Sequence, residues 1–155
     1  MEGLLDLTEA SALAQTLRQS VWLYPVANVL HVLGVMSFFA AVAAIDVKAL
    51  RSPHPAALRG FVARVRPVAI LLLALLVTTG VLLFLPEASH IAHNAVLQVK
   101  LAVIGLALLN VLALQSALKR TIPAGAVHGA VRLAALASLV LWLTVAALGR
   151  LIAFC

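Results

Sequence analysis

Two ionisable side chains stand inside long apolar stretches: His31 within VANVLHVLGVMSFFAA and Lys100 within AVLQVKLAVIGLALL. An ionisable group in such surroundings is costly unless something holds it, which makes each a candidate for function. A neutral imidazole there offers a nitrogen lone pair, the usual axial ligand of a b-type haem held between helices. An ammonium close by would offset a haem propionate. Gly34, Gly80 and Gly105 would let a macrocycle approach the backbone, and Thr78 and Thr79 place hydroxyls beside Gly80. A purely structural reading competes. In it His31 hydrogen-bonds Thr78 or Thr79 across a helix contact, and Lys100 extends its stem toward Glu87.

The metal-ligating alternative uses His31 with His90 and His93. If Ser89 caps a short helix, His90 and His93 lie three apart on one face. Two histidines at that spacing make half a site. His93 is the candidate second ligand beside His31, but it is shallower by roughly 10 Å, so a shared iron requires helix tilt or a loop that dips inward. His54 falls in a polar loop and reads as solvated, and His128 reads as interfacial. Asp46 is expected to pair with Lys48, Arg51 or an arginine at the foot of the second span. Asn110 is read as interhelical glue. No nucleophile, acid and base constellation can be assembled from so few polar groups, which leaves enzymatic activity unassigned.

The elements that must position these residues follow from composition. Of 155 residues, 65% are hydrophobic and 10% charged, with a mean hydropathy of +1.16. A soluble domain of this size could not cover that much apolar surface, so the solvent for most of the chain is lipid. About 20 apolar residues of helix cross a hydrocarbon core about 30 Å thick. Four such runs occur, near 21–45, 67–85, 95–118 and 130–154. Runs such as AILLLALLV are continuously apolar, unlike the short alternating segments of a barrel, so the expected fold is an all-α four-helix membrane bundle.

Residues 1–20 form a separate unit. They lack the basic start of a cleavable signal and are read as part of the mature protein. Ala10, Leu13, Ala14, Leu17 and Val21 recur at helical spacing opposite Gln15, Arg18 and Gln19, after potential caps at Asp6 or Thr8. This predicts an amphipathic helix lying on the outer surface. Trp22 and Tyr24 mark the water boundary. RSPHPAALRG, with two prolines and a glycine, is expected to be a loop between the first two spans. The single cysteine, Cys155, is the last residue, so no internal disulfide forms.

The net charge of +6 is distributed by side. Lys48, Arg51, Arg59, Arg64 and Arg66 lie between spans one and two; Lys119, Arg120 and Arg132 lie between or just inside spans three and four. The other side carries Glu2, Asp6, Glu9 and Glu87 against Arg18. The positive-inside rule therefore turns both termini away from the cytoplasm, and the basic charge serves topology and anionic lipid rather than nucleic acid.

Depth follows from the helical rise. His31 lies nine residues beyond Trp22, roughly 13 Å in, and Lys100 seven beyond His93, roughly 10 Å in from the same side. Thr78, Thr79, Gly80 and Thr144 fall near that level. All four spans are thus expected to contribute polar or small groups to one layer.

The runs SALAQTLRQSVWLYPVANVLHVLGV, AAIDVKALR, LLVTTGVLLF and NAVLQVKLAVIGLALLN resemble a family of small, uncharacterised bacterial four-helix inner-membrane proteins. The resemblance rests on LHxLG (His31, Gly34), D-x-[RK]-x-L (Asp46, Lys48), TG followed by F (Thr79, Gly80, Phe84) and N-x(5)-K-x(9)-N (Asn94, Lys100, Asn110), and covers the chain up to Asn110. More distantly the chain is similar to the CopD copper-resistance proteins and the haem-binding HemJ protoporphyrinogen oxidases, which implies haem or copper. The fuller histidine set of the former and the tyrosine-rich first helices of the latter are missing here.

The resulting expectation is a b-type haem protein of the bacterial cytoplasmic membrane that passes electrons to or from a quinone or a membrane redox complex. The rivals are a copper-handling or small-solute membrane protein, and a cofactor-free subunit packed against a larger complex or another copy.

Overall fold

The computed structural model describes residues 2–120, 127 and 129–152, with side chains at all of these except 2 and 4–6. His128 and Cys155 lie outside the described residues. The chain is all-α, and among the described residues there is no strand. Two short helices, α1 (Glu2–Glu9) and α2 (Ala12–Gln19), precede α3 (Leu23–Arg51) and α4 (Pro55–Phe84). A 3-10 turn (Leu85–Glu87) and the short α5 (Ala88–Ala92) lead into α6 (Ala95–Arg120), and α7 (Gly129–Leu151) follows.

Among the described residues, four helices are long and apolar enough to cross a membrane. Within their most apolar windows only 6% to 22% of residues are buried by the protein itself, so the remaining apolar surface needs lipid around it. The protein is a multi-pass membrane protein. At 29 and 30 residues, α3 and α4 exceed the hydrocarbon thickness and project beyond it.

That projection corrects the expectation of a loop over RSPHPAALRG. Only Ser52, Pro53 and His54 separate α3 from α4. Pro55 begins α4 at a first-turn position where its missing N–H costs nothing, and the Ser52 hydroxyl donates to the His54 carbonyl at 3.2 Å. Arg59, Arg64 and Arg66 therefore sit on a helical stalk below the apolar span. Pro67, which marks where apolar sequence begins, lies inside the helix.

Three pairings build the bundle: α3 on α4, α6 on α7, and α3 on α7. The order α4, α3, α7, α6 leaves α4 and α6 with little contact, so a cleft runs between them, floored by α3 and α7. Phe38 and Trp142 meet edge to face across the α3–α7 seam, ring centroids 4.6 Å apart, within a buried cluster that includes Val42 and Ala107. Lower down, Ala49, Leu58, Leu114, Leu118, Val131 and Ala135 form a second core.

The opposite end is capped by the N-terminal helices. Ser11, rather than Asp6 or Thr8, caps α2, accepting from the Ala14 N–H at 3.3 Å. Ala14 and Leu17 are buried, and α2 rests on the 3-10 turn. Arg18 donates to the Pro86 carbonyl. Glu9 accepts from the Ser89 hydroxyl at 2.5 Å and the Ser89 N–H at 2.7 Å, and pairs with Arg18 at 3.4 Å. These bonds, the Ser89 hydroxyl foremost, hold the Glu9 carboxyl below its ordinary pKa.

Candidate functional site

Near the capped end, α3 and α4 meet through one polar contact. His31 Nδ1 lies 2.8 Å from Thr79 Oγ1, and Thr79 Oγ1 lies 2.8 Å from the Leu75 carbonyl one turn back. A carbonyl only accepts, so the threonine proton goes to Leu75 and the hydroxyl oxygen must accept from His31. The proton of the neutral ring is thereby assigned to Nδ1, and Nε2 keeps its lone pair. Thr79 is buried at 3% exposure, so the chain of bonds is shielded from exchange with water.

Gly80 continues this contact: a Cβ there would stand 3.5 Å from His31 Cε1, so the imidazole edge lies over the glycine backbone. Lys100, half-buried on α6, is close enough to act on His31 through its charge. Its Nζ would lie 3.1 Å from a Cβ at Gly149 on α7. Among the described residues no hydrogen-bond acceptor or carboxylate partners this ammonium, and Glu87 does not pair with it. One layer thus contains His31 from α3, Thr79 and Gly80 from α4, Lys100 from α6 and Gly149 from α7.

Several expected members lie elsewhere. Thr78 and Thr144 are exposed and return their hydroxyls to the Ala74 and Val140 carbonyls of their own helices. Gly34 is buried, but the space of its missing Cβ is filled by Leu76, 3.1 Å away, so it serves α3–α4 packing. Gly105 faces open space. Gly149 was not anticipated from sequence, because a glycine shows its use only when its neighbour is known.

The histidines between α4 and α6 take another arrangement. Ser89 does not cap a helix at His90; it is committed to Glu9, and α5 begins at Ala88. His93 is exposed at the C-terminal end of α5, where its Nδ1–H donates to the Ser89 carbonyl at 2.8 Å. His90 is exposed as well. Among the described residues no three His, Cys, Asp or Glu side chains gather as a metal-holding group.

Asp46 corrects a further expectation. It is 1% exposed, and neither carboxyl oxygen has a hydrogen-bond partner. Lys48, Arg51 and Arg66 are exposed and form no ion pair with it. Asn110 bridges α6 to α7 by donating to the Ala134 carbonyl at 2.9 Å.

Comparison with protein-family models, with curated proteins and with solved structures gave no match, so the reading of this site rests on its geometry.

Proposed function

We propose that this chain is a protein of a bacterial cytoplasmic membrane that carries a b-type haem in the half of its bundle beneath the N-terminal cap. It would pass electrons between a quinone or a membrane redox partner and the outer face. The single observation that carries the reading is the Thr79 hydroxyl, which fixes His31 as the Nδ1–H tautomer and leaves Nε2 as a free base, the arrangement in which second-shell bonds orient ligating histidines.

The residues fit such a group at two points. His31 Nε2 has no partner among the described residues, and it would be free to hold the haem iron. Lys100 is a half-buried cation without an acceptor, and it suits a propionate. Gly34 offers no room for the ring, and exposed His93 is tied to its own short helix, so the proposal uses one histidine ligand. When bound, the haem would supply one-electron chemistry. His31 would orient it, Thr79 would hold His31, and Lys100 would offset its carboxylate charge. Copper handling has weaker support because the exposed His90 and His93 are joined by no third ligand.

The charge pattern supports an orientation with both termini on the periplasmic side. An absorption spectrum tests the cofactor. Protein expressed with added haem and purified in detergent should show a Soret band that shifts on dithionite reduction, and His31→Ala should lose it. A fully folded protein with no such band removes haem and leaves the accessory-subunit reading. A band retained in His31→Ala removes the ligand assignment.

A further inference from the structure

A second polar site lies at the other end of the bundle. Asp46 follows His31 by fifteen residues on α3, roughly 22 Å along the helix, so it belongs to a different layer. It lines a cavity of about 170 Å³ in the cleft between α4 and α6, together with Ser138 and Trp142 from α7, Arg66 from α4 and Gln115 from α6. Three side chains here are more than nine-tenths buried yet lack hydrogen-bond partners: Asp46 at 1% exposure, Ser138 at 1% and Trp142 at 6%. Unmatched polar atoms at such depth are costly, and several converging on one space point to an occupant.

The pattern of unmet bonds describes that occupant. Ser138 lies close to Asp46 without meeting hydrogen-bond geometry, and a small rotation would satisfy the hydroxyl against one carboxyl oxygen. The second oxygen would then still need a donor, and the Trp142 indole N–H would still need an acceptor. One hydroxyl supplies both, since it donates through its proton and accepts through its oxygen. The rest of the wall is built of Phe38, Val42, Leu73 and similar side chains, so the body attached to the hydroxyl is apolar. Because α4 and α6 barely meet, the gap between them offers a sideways route from the bilayer into the cavity.

We propose that this cavity binds a lipid-soluble hydroxyl compound, a phenol or alcohol with an apolar body, which enters from the bilayer between α4 and α6. Its hydroxyl donates to Asp46 and accepts from Trp142. The site does not depend on the haem reading, and its test needs no haem.

The full chain in lipid nanodiscs, with Trp22→Phe so that Trp142 is the remaining tryptophan, is titrated with para-decylphenol, with its methyl ether and with decyltrimethylammonium, while Trp142 emission is followed. The ether keeps the body and the acceptor and lacks the donor. The phenol should give a saturable change and bind about tenfold more tightly than the ether, the magnitude expected of one buried hydrogen bond. Asp46→Leu should remove that difference. An apolar side chain of similar volume in place of an unpaired buried carboxyl leaves folding intact, which a melting curve checks. Equal binding of phenol and ether to the Asp46-containing protein overturns the proposal whatever the variant does. So does tighter binding of the ammonium compound, which would make Asp46 a cation site, and so does an absence of any saturable change, which would leave the cavity to water.

Discussion

At the scale of single residues, the His31 site depends on the direction of one proton. The Thr79 hydroxyl lies against the Leu75 carbonyl at 2.8 Å and the Leu76 carbonyl at 3.4 Å as well as His31, and the carbonyls direct its hydrogen because they have none to return. Thr79→Val keeps the shape of the side chain and removes the acceptor for His31. The ring should then lose its fixed orientation, and if His31 holds haem as proposed, haem affinity should fall by about 10- to 100-fold, as it does when second-shell partners of ligating histidines are removed. Thr79→Ser should restore most of it. Titration of the detergent-purified protein with haem, followed at the Soret band, checks both. Unchanged affinity in the valine variant would show that the hydroxyl has no part in orienting the ligand.

At the scale of elements, the N-terminal helices are clipped onto the turn before α6 by a small polar cluster, with Glu9 at its centre. Its carboxyl is lowered below the ordinary 4.5 by Ser89 and Arg18, so it is a better acceptor folded than unfolded. A depressed folded pKa contributes stability that is complete above the unfolded value and is lost as pH falls through the folded one. The clip should therefore hold at neutral pH and open in acid, as the pH falls below the ordinary glutamate value of 4.5. Hydrogen exchange read along α2 and α5 should show protection that falls across that window, while α3 and α7 stay protected. Glu9→Gln should show the lower protection at every pH. Equal protection in acid and at neutrality would mean that apolar contacts of Ala14 and Leu17 hold the cap alone.

At the scale of the whole molecule, the charge distribution predicts an orientation with both termini on the periplasmic side. The exposed Gly3 and Pro53 lie at opposite ends of the bundle. In a Cys155→Ser background, Gly3→Cys should react with an impermeant maleimide added to intact spheroplasts, and Pro53→Cys should react only after the membrane is opened. The reverse pattern would invert the topology and place the His31 layer near the cytoplasm.

The four spans were legible in the sequence because crossing lipid demands a run of apolar residues that nothing else in a short chain explains. That His31 and Lys100 lie toward the same end of the bundle was legible too, since the helical rise is fixed. Their shared layer follows from adding that rise to two boundary residues, Trp22 and His93. What only the tertiary structure decided was which way each side chain faces. Thr78 and Thr79 are neighbours in sequence, yet one turns outward and the other receives His31. Gly34 and Gly149 could not be told apart until Leu76 and Lys100 were seen beside them. Asp46 had Lys48, Arg51 and the arginines at the foot of α4 within reach by sequence, but rotation about α3 turns its carboxyl into the bundle, where none of them pairs with it. Hydropathy fixes how deep a residue lies in the membrane; its angle around the helix, and so its partner, is set by the packing of α3 between α4 and α7.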